Sequence, residues 1–164
     1  MTGGGAALLY GLPPVFDAGV EILILGSFPS PASLAEQQYY AHRQNQFWRL
    51  LAALTGEPLV SLDYADKQRA LLQHRVGVWD VYRSCARQGA LDSAIEAAEP
   101  NDFSLLKKHA PSMRRVLFNG KTSGKFERWF CSQGYDTRVL PSSSPAYTLA
   151  FERKLELWRE AWKN

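Results

Sequence analysis

The amino-acid sequence predicts an α/β protein, a three-layer α/β/α sandwich around a short and mainly parallel central sheet of about four strands. Apolar runs of strand length, such as EILILG at 21–26 and RVLFNG at 115–120, are each stopped by a glycine. Between such runs lie segments whose apolar residues recur at helical spacing. Because a parallel crossover needs a helix's length of chain, strands that alternate with helices indicate a parallel sheet with helices on both faces.

The alternation starts in the first half of the chain. The run at 21–26 is the first predicted strand. A helix is predicted within 44–54, where apolar residues fall at i, i+3, i+4 and i+7. Asp63 can cap a further helix that runs to about His74, since its short side chain can accept from backbone N–H groups of the first turn. GVWDV at 77–81 then has the composition and length of a strand.

The second half repeats the pattern and ends on an amphipathic helix. Its aromatic residues are expected to belong to the core, because they share one helical face. The predicted elements are a helix capped by Asn101 and Asp102 and running to Ala110, a strand at 115–120, a helix at 121–133, a strand at 137–141, and a final helix with Phe151, Leu155, Trp158 and Trp162 on one side.

Length and composition predict one domain over 1–164, with residues 1–10 as a flexible end. The chain has 164 residues, 46% of them apolar and 21% charged, which excludes collagen-like, coiled-coil and disordered proteins. The net charge of +3 permits a polyanionic partner without requiring one. Without a secretion signal or a long apolar run, a cytoplasmic protein without membrane contact is expected. We also expect the protein to be a monomer.

The two cysteines, Cys85 and Cys131, are expected to be small buried apolar residues. They are too few for a four-thiolate zinc or iron-sulfur site in one chain. The three histidines share no metal-binding spacing, and we expect neither a metal nor another cofactor. A nucleotide-binding P-loop and a nucleophile elbow are absent from the sequence as well.

Three predicted strand ends carry small and polar residues, and these ends should meet at one rim. They are Gly26–Ser30, Asn119–Lys121 and Pro141–Pro145. In an open parallel sheet the ligand crevice lies beyond the carboxyl ends of the strands. The ligand site is therefore predicted at this rim.

The rim has the chemistry to hold a planar ring. A nucleobase outside a duplex is recognised by stacking and by hydrogen bonds to its edge, and five residues supply such groups: Phe28, Tyr39, Tyr40, Asn45 and Asn119. Residue types alone leave an alternative, in which the tyrosines merely cover the sheet and Asn45 caps the helix that follows it.

Groups for phosphate contact flank the same rim. The loop Ser142, Ser143, Ser144 offers hydroxyl and main-chain N–H donors, and Lys121 follows Asn-Gly at a helix start. If the architecture holds, Arg43, Lys121, Lys125 and Arg138 lie near this edge. His42 is the histidine most suited to a site, and Asp80 is the best acidic candidate, although an aspartate at a strand end is as often a hydrogen-bond acceptor in the loop.

Taken together, G-x-x-P-x, AH-x-x-N-x-FW, FNG and LPSSSP resemble the uracil-DNA glycosylase superfamily, and within it the hypoxanthine-DNA (deoxyinosine) glycosylase family, from about Gly11 to Trp162. The resemblance implies a monofunctional DNA glycosylase without metal or cofactor. The substrate of such an enzyme is double-stranded DNA with a deaminated or mismatched base. The enzyme flips the deaminated base, hypoxanthine or else uracil, out of the duplex. It then hydrolyses the N-glycosidic bond during base excision repair, in the cytoplasm at the nucleoid.

The same resemblance implies roles for particular residues. Phe28 stands where relatives keep the asparagine that positions water, and serines stand in the second motif. Asn45 is therefore the implied catalytic residue, whose amide orients the water. The implied base-binding residues are Gly26, Ser27, Phe28, Tyr40 and Asn119, and the implied DNA-binding residues are Ser142, Ser143, Ser144, Lys121 and His42.

Two other functions remain open from the sequence. A catalytically silent nucleic-acid-binding protein on the same fold would bind DNA and leave every base in place. A nucleoside hydrolase would act on the free nucleoside instead of the duplex.

Overall fold

A computed structural model of the chain describes residues 7–163. Its central sheet has four parallel strands: β2 (Ile22–Gly26), β3 (Val76–Asp80), β6 (Arg115–Asn119) and β7 (Asp136–Leu140). They lie in the order β3-β2-β6-β7. This confirms the predicted α/β fold and the four predicted strands, which start and end within one residue of the expected positions.

The sheet is covered on both faces because its strands are apolar on both sides. In β2, Ile22 and Ile24 belong to one buried cluster and Leu23 and Leu25 to another, as the two-residue repeat of a strand requires. The helices on the first face are α2 (Phe47–Thr55), α3 (Tyr64–Gln73) and α7 (Phe151–Trp162), and those on the second are α4 (Leu106–His109) and α6 (Glu127–Ser132). The sheet therefore lies between two layers of helices, which gives the predicted three-layer arrangement.

Local sequence signals decide several of these helices. Asp63 accepts a hydrogen bond from the N–H of Asp66 at 2.8 Å and caps α3, as predicted. In α7, Trp158 is fully buried and belongs to the core, which confirms the reading of its aromatic stripe. Ser30 caps the short helix α1 (Pro31–Glu36), which the sequence analysis did not anticipate.

Two predicted helices are shorter than expected. Only Leu106–His109 of the stretch 101–110 is helical, because Asp102 accepts from the N–H of Ser104 and Phe103 packs on an aromatic cluster with Phe130. The predicted helix 121–133 divides into α5 (Lys121–Gly124) and α6. At the junction, Gly124 lies so close to β7 that a Cβ there would be 3.0 Å from the side chain of Val139.

A second, antiparallel sheet of three strands was not predicted. It consists of β1 (Leu8–Tyr10), β4 (Tyr82–Ala86) and β5 (Glu96–Pro100), in the order β1-β4-β5. Strand β1 falls within the end predicted to be flexible, 1–10, and pairs with β4, while residues 1–6 lie outside the described residues. Cys131 is exposed and corrects the expectation for that cysteine, whereas Cys85 is buried.

Candidate active site

A cavity of about 290 Å³ opens at the carboxyl ends of β2, β3 and β6. With β2 first in the parallel sheet and its neighbours β3 and β6 on either side, this is where the strand order reverses, the usual place of a ligand crevice. Its volume lies near the lower limit of small-molecule sites, roughly 300 Å³. All of the predicted site residues except Lys121 line it: Gly26, Ser27, Phe28, Tyr40, His42, Asn45, Asn119, Ser142, Ser143 and Ser144.

The carboxamide of Asn45 is held by its oxygen. Oδ1 accepts from the N–H of Phe47 at 2.9 Å and from the hydroxyl of Ser143 at 2.8 Å. Because a backbone N–H can only donate, the atom that faces Phe47 must be the oxygen. Within the part of the chain that the structure describes, Nδ2 has no protein partner. The hydrogen-bonding group that this side chain has left for a ligand is therefore its N–H₂ donor. Asn45 thus both braces the start of α2 and lines the cavity, which joins the two readings left open by the sequence.

Ser143 links two asparagines below the cavity. Its hydroxyl donates to Asn45 and accepts from Asn119 Nδ2 at 2.9 Å, and its N–H donates to Asn119 Oδ1 at 2.9 Å. Only 1% of Ser143 is exposed. Its donors are therefore taken up inside the protein, where they fix the two amides, and the phosphate contact expected of Ser143 stays a prediction.

Asn119 is largely satisfied by the protein. Besides its bonds to Ser143, Nδ2 donates to the hydroxyl of Tyr40 at 3.2 Å. The second lone pair of Oδ1 is what this amide has left for a ligand. Base reading by Asn119 accordingly stays a prediction that involves one acceptor, while its bonds to Ser143 and Tyr40 fix two other walls of the cavity.

Two tyrosines follow one another on this wall but do different things. Tyr40 adopts the left-handed conformation at φ 55°, and its ring stacks on Phe47 with centroids 4.0 Å apart. Burial raises the pKa of the Tyr40 hydroxyl, and so does the neighbouring Asp80, so it stays protonated. Tyr39 is 3% exposed and donates to the carbonyl oxygens of Leu12 and Pro13. Tyr39 thus packs on the sheet, as in the alternative interpretation, and it also belongs to the lining of the cavity.

The loop that follows β2, residues 27–30, is the first loop of the rim and is anchored from outside the parallel sheet. Ser27 donates from its hydroxyl to Asp92 Oδ1 at 2.7 Å. Phe28 is 6% exposed at the cavity, and the guanidinium of Arg87 lies 5.3 Å from its ring centre. Arg87 also donates to the carbonyl of Pro29 at 2.7 Å. Arg87 and Asp92 both follow β4 in the chain, so the unpredicted antiparallel sheet holds Phe28 and its loop in place.

Gly26 and Asp80 lie at the ends of neighbouring strands, paired in the sheet register. A Cβ on Gly26 would be 2.6 Å from Asp80 Oδ1 and 2.7 Å from the Tyr40 hydroxyl oxygen. Glycine is therefore required here by space. Asp80 is 4% exposed and lines the cavity. Burial raises the pKa of its carboxyl to about 7, with a further contribution from Asp92.

The serine loop is supported from beneath by a buried lysine. Lys154, on α7, is 1% exposed and donates to the carbonyl of Ser144 at 3.2 Å. Its ammonium lies 5.4 Å from the ring centre of Tyr147. Ser142 and Ser144 are partly exposed, and their hydroxyls accept local backbone N–H groups, which leaves each O–H free to donate.

The positive charges are less concentrated than expected. His42 and Arg43 are exposed, and His42 accepts from the N–H of Gln44. Lys121 is exposed at the start of α5, outside the lining of the cavity. Arg138 forms an ion pair with Asp136 at 2.6 Å, towards the amino end of β7, and so does not join the rim.

Sequence reasoning missed Arg87, Asp92 and Lys154. Arg87 and Asp92 belong to a stretch without a strong helical or strand pattern, and only the fold brings them to the first loop. Lys154 lies four residues before Trp158, on the buried face of α7. This helical spacing was the signal in the sequence that could have indicated its burial.

No cluster of histidine, cysteine, aspartate and glutamate suited to a metal ion occurs within residues 7–163. Among the helices of the described chain, none is long and apolar enough to cross a membrane.

At this cavity the α/β fold brings together aromatic rings and fixed amide and hydroxyl groups. A sequence model of the Uracil DNA glycosylase superfamily matches residues 13–164. The chain belongs to this superfamily. It is a DNA glycosylase, a hydrolase that cleaves N-glycosidic bonds in DNA, as predicted.

Individual relatives indicate which family of this superfamily the chain resembles. The chain is 44% identical to the Hypoxanthine DNA glycosylase of Methanosarcina barkeri (strain Fusaro / DSM 804) and 42% identical to that of Methanosarcina acetivorans, over 94% of this chain and 98% of each relative. It is also similar to a solution NMR structure from Methanosarcina acetivorans that is provisionally described as a uracil DNA glycosylase. The TM-score is 0.87 at 41% identity, over 95% of this chain and 97% of that one. The predicted resemblance to the hypoxanthine-DNA glycosylase family is confirmed.

Proposed function

We propose that the chain removes hypoxanthine from deoxyinosine in double-stranded DNA and leaves an abasic site. The names of two relatives above 40% identity support this substrate. The observation that carries the proposal is the Asn45 carboxamide, whose oxygen is locked by Phe47 and Ser143 and whose N–H₂ group is left for the cavity. A fixed polar group beside a slot for a flipped base suits hydrolysis of the bond between that base and its sugar.

The proposed reaction needs little acid or base chemistry from the protein. The bond between C1′ and the purine nitrogen breaks, its electron pair goes to the departing base, and the sugar gains oxocarbenium character. Asn45 Nδ2 donates to a water molecule and directs that molecule's other lone pair towards C1′. The water forms the new C1′–O bond and releases one proton to solvent, and the departing base takes up a proton at the nitrogen that carried the sugar. Positioning and preorganised donors then supply most of the rate enhancement.

The rim also suits a duplex. Leu91 is 57% exposed and Tyr147 is 45% exposed, and both line the mouth of the cavity. Apolar side chains at such a mouth can fill the space that an extruded base leaves in the stack. Ser142 and Ser144 have free O–H donors for the flanking phosphates, and Lys121 and His42 stand exposed beside them. In this proposal the protein acts on the duplex as a monomer.

The function is tested on duplexes that carry deoxyinosine opposite thymine, deoxyuridine opposite guanine, or thymine opposite guanine. After incubation with the protein and heating in alkali, the deoxyinosine strand should break at the lesion, and uracil is the second substrate to be examined. Intact strands despite binding would favour the silent nucleic-acid-binding protein. Release of base from free deoxyinosine, with every duplex intact, would favour the nucleoside hydrolase.

A further inference from the structure

Asp80 is a buried carboxyl group at the cavity that the proposed reaction has not used. Its Oδ2 is buried and has no hydrogen-bond partner among the described residues. Its Oδ1 flanks Gly26 together with the hydroxyl of Tyr40, and Asp80 belongs to the lining of the cavity. The nearby amide of Asn101 donates to the main-chain oxygen of Asp80 and leaves its carboxyl without that donor.

An ionised carboxylate in this position would be costly. A buried charge is stable when several donors surround it, and here one oxygen has none. The charged and titratable groups around Asp80 are Asp92, Arg87, Tyr39, Tyr40 and Tyr64, with His42 on the same cavity. Burial is the largest cause of the raised pKa of Asp80, Asp92 adds to it, and Arg87 opposes both.

The neutral carboxyl has a preferred site for its proton. On Oδ2 the proton would be a buried donor without an acceptor, and buried donors without a partner are rarer in proteins than buried carbonyl oxygens without one. On Oδ1 the proton can point towards the cavity. The neutral form of Asp80 thus presents an O–H donor to whatever occupies the slot, as other buried carboxylic acids in active sites do.

We propose that Asp80 is a specificity-determining residue that contacts the flipped base, and that its neutral carboxyl donates a hydrogen bond to the carbonyl oxygen that deamination creates. This inference rests on the proposed function and names the class of base that the same site selects. Deamination replaces an amino group, which donates, by a carbonyl, which accepts. The O–H of Asp80 therefore matches the deaminated base and opposes the amino group of the parent base, a mismatch of two donors.

The first test is the pH dependence of deoxyinosine cleavage under single-turnover conditions between pH 5 and 9. The wild-type rate should fall above pH 7, approaching tenfold per pH unit, because the ionised carboxyl loses its donor and repels the departing base. Asp80→Asn keeps the shape and does not titrate, so its rate should change less than threefold apart from ionisation of hypoxanthine itself, which affects both proteins. Asp17→Asn, an exposed aspartate before β2, is the matched control and should keep the wild-type profile.

Three results would overturn the inference. A wild-type rate that stays level to pH 9 would show that no carboxyl proton is needed, and a rate that rises through neutral pH would make Asp80 an ionised base. Asp92→Asn should move the falling limb to lower pH, since Asp92 raises the pKa of Asp80; an unmoved limb would assign the titration to another group.

The second test measures binding, so that it does not depend on cleavage. Duplexes with 2′-fluorinated deoxyinosine or 2′-fluorinated deoxyadenosine resist hydrolysis, and the ratio of their Kd values reports base discrimination. Asp80→Asn should reduce the preference for inosine at least tenfold, because an amide can turn either its donor or its acceptor to the base. An unchanged ratio would refute the role of Asp80. If wild type cleaves no duplex at any pH, the proposed function fails, and this ratio still decides whether Asp80 reads the base.

Discussion

Asn45→Asp separates the two ends of the Asn45 carboxamide. A carboxylate of the same shape can still accept from the N–H of Phe47 and from the hydroxyl of Ser143, so the start of α2 and the link to the serine loop should survive. The change replaces the N–H₂ group, which is the part that we propose to hold the water, by a second carboxylate oxygen and adds a negative charge that repels the departing base. We therefore expect a folded protein with little activity.

The expected magnitude follows from the loss of one preorganised donor, about 3 kcal/mol of transition-state stabilisation, or about 100-fold in the single-turnover rate. Asn45→Ala should lose a similar amount of transition-state stabilisation, about 2 to 4 kcal/mol, because it too removes the donor. It should also lose about 1 kcal/mol of folding stability, because the N–H of Phe47 loses its acceptor. The assay is strand cleavage at deoxyinosine with the protein in excess, alongside urea denaturation of both variants.

The opposite outcome is informative. If the oxygen of Asn45 were the atom that handles water, a carboxylate would be at least as good an acceptor, and Asn45→Asp would match or exceed the wild-type rate. That result would refute the assignment of the free N–H₂ group. Near wild-type turnover in Asn45→Ala would remove the catalytic role from this side chain altogether, and Ser142 and His42 would be examined next.

Three further changes test the neighbourhood of Asn45. Ser143→Ala removes the hydroxyl between Asn45 and Asn119 and should cost about 2 kcal/mol of stability, roughly 1 kcal/mol per buried hydrogen bond, measured by urea denaturation; a loss below 0.5 kcal/mol, on the order of surface substitutions, would contradict the network. Gly26→Ala places a Cβ 2.6 Å from Asp80 Oδ1, so cleavage should fall at least tenfold by displacement of the cavity wall, and a wild-type rate would contradict the tight fit. Asp80→Asn tests the buried carboxyl by stability: since its pKa rises from 3.8 to about 7 in the folded protein, the folded state keeps a proton that the unfolded chain releases. Wild-type stability relative to the variant should therefore drop by up to about 4 kcal/mol between pH 4 and 8, and equal pH dependence in both proteins would rule out the raised pKa.

The sequence by itself determined the elements whose signals are local. The apolar runs of β2 and β6, the capping aspartate of α3 and the aromatic stripe of α7 depend on neighbours a few residues away, and each formed where the pattern predicted. The rim followed too, because parallel strands bring their carboxyl ends to one edge whatever their side chains. Phe28, Tyr40, Asn45 and Asn119 could be assigned to one cavity for this reason.

Tertiary structure alone decided how those residues are used. Asn45 and Ser143 are 98 positions apart, and their hydrogen bond turns one amide oxygen inward and frees the N–H₂ group. The burial of Asp80 depends on strands, loops and two tyrosines that no local pattern brings together. Hydrogen-bond partners, burial and the resulting pKa values depend on distances across the fold, so a residue's type gives its chemical capacity and only its packed surroundings select the proton or lone pair that a substrate meets.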